Sequence, residues 1–179
     1  MRLTITEALA DIKTSLARID KKQKSILGYL GRDSRLRDPL EKEGGSAEFI
    51  KRERQSILDL QDKIVRVRSA IQKINLETTL TIEGETRTLA AWLNWRREIA
   101  GLQQTFLSQM SSNIHTLRQQ ATRQGATVRE SGETSAAPQD FIINMSESAL
   151  ATENERMTTI LGQLDGKLSL LNATTLIEV

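Results

Sequence analysis

Between Thr4 and Leu30 the aliphatic residues Ile5, Leu9, Ile12, Leu16, Ile19, Ile26 and Leu30 recur at steps of four and three, with Gln23 the polar member of the line. A mean step of 3.5 residues keeps side chains on one helical stripe, and that stripe needs a second helix to cover it. Thr4 and Glu7 have the spacing of a capping box at its start. Gly28, Gly31 and the polar stretch to Gly45 mark its end. A second stripe follows Ser46, a good N-cap: Ile50, Ile57, Leu60, Ile64, Val67, Ile71 and Ile74, with Glu53 the exception. The two helices, each roughly 40 Å long at ~1.5 Å per residue, are expected to pair antiparallel across the intervening loop.

The period then changes. Residues 78–89 alternate polar and apolar around Glu83-Gly84, which predicts a β-hairpin with a two-residue turn. A third helix is expected from about Thr88 to Arg123, carrying Leu89, Trp92, Leu93, Ile99, Ala100, Phe106, Leu107, Met110, Ile114 and Leu117. Residues 124–139 turn polar and predict a mobile loop, with short strands near Val128 and at Phe141–Ile143. Asn144 and Glu147 have capping-box spacing before a last helix with Leu150, Met157, Leu161, Leu164, Leu168 and Leu171 on its seam and Asn154 as the polar member. Leu176–Val179 has the makings of a final strand.

The fold expected is therefore mainly α: long antiparallel helices in a hairpin or bundle, with a short β-hairpin between the second and third. By composition the chain divides into a helical core (1–123), a polar loop with short strands (124–145) and a C-terminal helix and tail (146–179). Helices this long leave much side area uncovered, so homo-oligomerisation is the expected way to bury it.

Composition excludes several classes. The chain has 179 residues, no cysteine and one histidine, His115. Disulfides and cysteine–zinc sites are thereby removed, multi-histidine metal sites nearly so, and a Ser-His or Cys-His catalytic group loses support. No enzyme activity and no cofactor are expected. The start has no signal-peptide core and no apolar run spans a membrane, so a soluble cytoplasmic protein without membrane partners is expected. The net charge of +2 hides an asymmetry, because residues 1–123 carry 22 basic and 15 acidic side chains and residues 124–179 carry 3 and 8. Either the acidic tail helix packs on the basic body or the body faces an anionic ligand. Acids interleave with bases throughout, which argues against a nucleic-acid surface.

Three groups are candidate sites. Trp92 and Trp95 are helical neighbours, and Arg96 and Gln103 fall on the line of Leu89, Met110 and Leu117, beside Arg97. An arginine in an apolar stripe needs a partner. That partner is a phosphate-bearing ligand held beside stacking tryptophans, or an acid of another helix such as Glu53. The second group is Gly44-Gly45-Ser46 opening a helix, with Lys51, Arg52 and Arg54 in its first turns; it is an anion site or a flexible linker with a solvated basic face. Arg32, Arg35 and Arg37, mixed with Asp33 and Asp38, read as internal ion pairs.

Residues 70–97, with Ala70-Ile71-Gln72-Lys73-Ile74-Asn75-Leu76-Glu77-Thr78-Thr79, Gly84 and Arg87-Thr88-Leu89-Ala90, resemble the septicolysin-like family. The resemblance implies two long helices, a glycine-containing hairpin and another long helix. It departs at Thr78 or Thr79, where that family has a second asparagine, and at Arg96-Arg97, where it has an Arg-Asp pair. The opening Leu3-Thr4-Ile5 with Ala8-Leu9-Ala10 and Ile12-Lys13, the run Asp38-Pro39-Leu40-Glu41-Lys42, and Trp92-Leu93 with Trp95-Arg96-Arg97 also resemble small bacteriophage proteins. That likeness implies an assembly factor, or an anti-defence oligomer in the bacterial host cytoplasm that sequesters a nucleotide signal in basic pockets between protomers. For such a pocket the residue reading above supplies Arg96, Arg97, Trp92, Trp95 and Gln103 as ligands, with Lys51, Arg52 and Arg54 in support.

Overall fold

A computed structural model describes residues 2–130 and 140–178. The chain is mainly helical, with short paired strands. Helices α1 (Ile5–Gly28) and α2 (Ser46–Glu77) follow strand β1 (Arg2–Thr4), with a short 3-10 turn at Glu41–Glu43 between them. Strands β2 (Thr79–Ile82) and β3 (Glu85–Thr88) lead into α3 (Leu89–Trp95), a π-helical stretch (Arg96–Ala100) and α4 (Gly101–Arg123). Strands β4 (Val128–Glu130) and β5 (Phe141–Ile143), helix α5 (Glu147–Thr174) and strand β6 (Leu176–Glu178) complete the order. Packing divides the chain into two units, 1–77 with 168–179, and 78–167. Segments 1–123, 124–145 and 146–179 divide it by composition instead.

In the first unit the capping box at the start of α1 is formed. Thr4 Oγ1 accepts the Glu7 N–H at 3.2 Å and the Glu7 carboxylate accepts the Thr4 N–H at 2.8 Å. That bond from the Thr4 backbone, with one from its hydroxyl, holds the Glu7 carboxyl below its ordinary range. Ile5, Ala8 and Ile12 pack with Val67 and Ile177, and Ile19 and Ile26 with Ile57. The ion pairs Lys63–Asp11 and Lys22–Glu53, both at 2.7 Å, follow the same order reversed, so α1 and α2 run antiparallel. The buried line of α1 is Ile5, Ala8, Ile12, Ser15, Ile19 and Ile26, which differs from the expected seam. Leu9 and Leu16 are 44% and 48% exposed. The small Ala8 and Ser15 sit where α2 approaches, and the bulkier leucines are left on the flank. Strand β6 pairs antiparallel with β1, Leu3 opposite Ile177.

In the second unit β2 and β3 form the expected hairpin, with Ile82 opposite Glu85. Both turn residues have positive φ, 49° at Glu83 and 78° at Gly84, the requirement of a turn whose twist matches its strands. The core joins Ala100, Leu107 and Ile114 to Ile143, Leu150 and Met157. The expected strands at Val128 and Phe141–Ile143 are present and pair in parallel. Most of the proposed mobile loop, residues 131–139, lies outside the described residues. Helix α5 starts at Glu147, and its first N–H donates to the Glu130 carboxylate at 3.3 Å. Its cap therefore comes from β4 and not from Asn144.

The long third helix holds the main surprise. Trp92 is buried, and the next buried residues are Ala100, Leu107, Ile114 and Ala121. Eight residues separate Trp92 from Ala100 and seven separate each later pair. The π-helical turn accommodates that one extra residue without breaking the helix. It also shifts Gln103, which lies beyond it, off the line of Leu89, whereas Arg96 keeps its ordinary N–H bond to the Trp92 carbonyl and is nonetheless half exposed.

Candidate functional site

The first unit answers the question raised by Gly44-Gly45-Ser46. Both glycines adopt positive φ, 96° and 90°, and turn the chain into α2. The N-terminus of that helix does hold an anion, and the anion is Asp38. Its carboxylate accepts the Ser46 hydroxyl at 2.6 Å, the Ser46 N–H at 2.9 Å and the Leu40 N–H at 2.9 Å. These bonds, the Ser46 hydroxyl first, pull the Asp38 pKa down to about 2. Lys51, Arg52 and Arg54 are exposed on α2. The Arg52 guanidinium lies 5.9 Å from the Phe49 ring centre, and Arg54 borders a groove of about 560 Å³ walled by Ile26, Leu27, Ile57 and Leu58. Arg35 pairs with Asp33 at 2.6 Å and Arg32 with Asp38 at 4.0 Å, so the internal-pair reading holds for two of the three arginines; among the described residues Arg37 has no ion-pair partner.

The second unit assembles a different site around the tryptophans. Thr88 caps α3, its hydroxyl accepting the Ala91 N–H at 3.2 Å, and the Leu89 N–H donates to the Thr78 carbonyl at 2.7 Å. The helix start is thereby fixed to the hairpin. Trp92 Nε1 donates to the Leu80 carbonyl at 3.0 Å, which ties the edge of the ring to β2. Trp95 meets it edge to face, with centroids 5.6 Å apart and an 87° interplanar angle. Across the hairpin the Arg87 guanidinium lies 4.9 Å from the Trp92 ring centre, and Arg87 Nε donates to Glu85 at 2.8 Å. Gln163 of α5 donates to Glu83 at 2.9 Å and secures the turn.

These rings open onto a cavity of about 170 Å³ bounded by Glu85, Arg87, Trp92, Trp95 and Gln103 on one side and Glu153, Arg156, Met157 and Ile160 of α5 on the other. Among the described residues Gln103, Glu153 and Arg156 have no hydrogen-bond or ion-pair partner. All three are exposed to solvent, so the cavity presents a hydrated amide, carboxylate and guanidinium at its rim beside the indole rings. Its two arginines stand with two glutamates, so the lining of this cavity within one chain is balanced in charge.

Three of the five residues singled out on this helix, Trp92, Trp95 and Gln103, line the cavity. The two arginines do not. Arg96 pairs with Asp165 of α5 at 2.6 Å, and Arg97 donates to Glu98 at 2.7 Å and to Asn94 at 3.1 Å. Arg96 thus has an acid of another helix as partner, though not Glu53, which belongs to Lys22. Arg87, Glu85, Glu153 and Arg156 were missed by sequence reasoning. Glu85 and Arg87 alternate on a strand and so share a face, a signal the sequence does contain. Nothing in the chain sets Glu153 and Arg156 opposite the tryptophans before the fold is known.

Among the described residues there is no cluster of three or more His, Asp or Glu placed to hold a metal ion, and no helix long and apolar enough to cross a membrane. Neither family models nor curated proteins match this chain. A solved structure from Corynebacterium diphtheriae, described as a functionally unknown conserved protein, is similar over 99% of this chain and 100% of its own, with a TM-score of 0.57 and 18% identity. That likeness concerns the fold alone.

Proposed function

We propose that this chain is a non-enzymatic binding protein whose second unit takes one planar, hydrogen-bonding ring of nucleobase size. The observation that carries the reading is the convergence of the unpartnered Gln103, Glu153 and Arg156 beside Trp95 and Trp92 in one cavity. An amide offers a donor and an acceptor, a carboxylate accepts from ring N–H groups, a guanidinium donates to ring oxygens, and an indole supplies an apolar wall. About 170 Å³ is below the ~300–1,000 Å³ of drug-sized pockets, so the cavity suits a single ring. Sugar and phosphate of a nucleotide would remain outside it. Sequestration of a nucleotide signal, the role implied by the bacteriophage likeness, requires such recognition and no turnover.

The only tryptophans of the chain, Trp92 and Trp95, both line the cavity, so their fluorescence reports on it directly. Titration with nucleobases, nucleosides and nucleotides is expected to give saturable quenching with at least one base. Glu153→Gln should weaken binding by about tenfold or more, the scale of a lost charge-assisted hydrogen bond. Absence of a saturable change with every base up to millimolar concentration overturns the reading, as does equal affinity in Gln103→Ala and Glu153→Gln. A structural or assembly role without a small ligand is the second reading, supported by large apolar side chains left exposed on several helices. It predicts that Trp92→Ala or Arg96→Ala alters mass in solution before it alters any binding.

A further inference from the structure

We infer that the exposed face of α4 around Phe106 is the contact surface for a second copy of this chain, packed antiparallel across a two-fold axis. The π-helical turn creates this face. Had the helix been α throughout, the seven-residue line from Trp92 would continue through Ile99 and Phe106. The extra residue instead directs Ala100 and Leu107 inward, and leaves Ile99, Leu102 and Phe106 exposed by 42%, 69% and 60%. The three are spaced as neighbours along one helical stripe, with Met110, itself partly packed on the core of the second unit, at its inner edge.

Charge identifies the occupant. From Ile99 to Leu117 there are 19 consecutive residues without Asp, Glu, Lys or Arg, in a chain where 27% of residues are charged. A partner chosen by opposite charge finds nothing to hold here. An anionic lipid surface wants Lys and Arg along the polar flank of such a helix, and this stretch has none. A two-fold contact places a surface against itself, where any charged residue near the axis meets its own like. An uncharged stripe avoids that repulsion and is self-complementary. Centred on Phe106, the antiparallel arrangement sets Phe106 against its copy and Leu102 against the copy's Met110. Arg96 and Arg97 then oppose the uncharged Thr116 and His115 region, so the flanking charges do not clash either. Gln103 is a helical neighbour of both Ile99 and Phe106, so this face adjoins the cavity, but the two readings are told apart by their readouts: the mass measurement needs no ligand, and failure of ligand titration leaves it unaffected.

Sedimentation equilibrium of the full chain tests it. Twice the protomer mass of 20.1 kDa is expected, falling to 20.1 kDa in Phe106→Glu and Leu102→Glu with helical circular dichroism unchanged. Because the chain has no cysteine, Phe106→Cys gives a position-specific probe. Mild oxidation should yield a disulfide-linked dimer on non-reducing gels, since residues on the axis meet their own copies. A wild type that sediments as a protomer at all concentrations overturns the inference. So does a dimer that persists in Phe106→Glu, or one that Phe106→Cys fails to cross-link.

Discussion

The two units pair long helices by different means. In the first, α1 and α2 keep an unbroken seven-residue register, with Ile5, Ile12, Ile19 and Ile26 meeting Ile57 and Val67. In the second, the helix from Leu89 to Arg123 changes register at a π-helical turn, and its upstream end packs on a hairpin. The regular unit spends its polar side chains on pairs flanking the seam, such as Lys22–Glu53. The irregular unit leaves Gln103, Glu153 and Arg156 around a cavity. The regular pair leaves a groove of about 560 Å³ with mostly aliphatic walls, whereas the smaller cavity beside the changed register, about 170 Å³, is lined by charged and amide groups; the two units differ in what their openings present and not in how much room they leave.

One-residue deletions test this difference most severely. Removing the exposed Arg66 from the middle of α2 rotates Val67, Ile71 and Ile74 by ~100° relative to Ile57 and Ile64. Both halves can no longer face α1, and the cooperative melting of the first unit, followed through Tyr29, should be lost. Removing Glu98 from the π-helical turn instead brings Trp92 and Ala100 to the seven-residue spacing of the later pairs. Only the Arg97–Glu98 surface pair is lost, so the thermal midpoint followed through the tryptophans should fall by under about 1 kcal/mol equivalent. Equal damage from the two deletions would contradict the register argument.

How far the sequence is legible follows the same division. The seam of α2, the capping box of Thr4 and Glu7 and the Glu83-Gly84 hairpin depend on neighbours at most a few residues apart, and all are present. On α1 the period is right but the face is turned by one residue, because Ala8 and Ser15 pack closer than Leu9 and Leu16. On the third helix the error is larger. A period count assumes 3.6 residues per turn throughout, so it misses the shift that puts Ala100 and Leu107 on the buried line, and it does not show that Arg96 reaches an acid, Asp165, at the half-exposed edge. The tryptophans survived that error because they precede the turn. Glu153 and Arg156 reach the cavity through contacts between distant segments, and no local pattern encodes those.

At single side chains the largest effect is expected at Trp92. It is 1% exposed and its Nε1 is bonded to Leu80, so Trp92→Ala should cost about 3–5 kcal/mol in denaturant unfolding of the second unit read through Trp95. Ion pairs sharpen the comparison at smaller scale. Lys22–Glu53 is mostly shielded by the α1–α2 pair, and Glu53→Gln should cost about 1.5–3 kcal/mol. Arg96–Asp165 has both side chains about half exposed, and Asp165→Asn should cost under about 1 kcal/mol. A larger loss at Asp165 than at Glu53 would mean that Arg96 is more constrained than its exposure indicates.

The smallest effect is confined to acid. Each unit starts a long helix on a carboxylate supplied from outside it: Asp38 for α2 with two bonds from Ser46 at 2.6 and 2.9 Å, and Glu130 for α5 with one at 3.3 Å from the helix N–H. The tighter cap holds Asp38 at about 2, below its ordinary 3.8. A carboxyl with a lowered folded-state pKa binds its proton more weakly in the folded than in the unfolded chain. Its stabilising contribution is therefore complete above the unfolded value and disappears as pH falls from about 3.8 toward 2. Melting of the first unit between pH 5 and 2 should fall less steeply in Asp38→Asn than in the parent, while the variant is less stable at neutral pH. Parallel curves for the two proteins would show that the Ser46 bonds do not set the Asp38 titration, and would remove the internal anion from the start of α2.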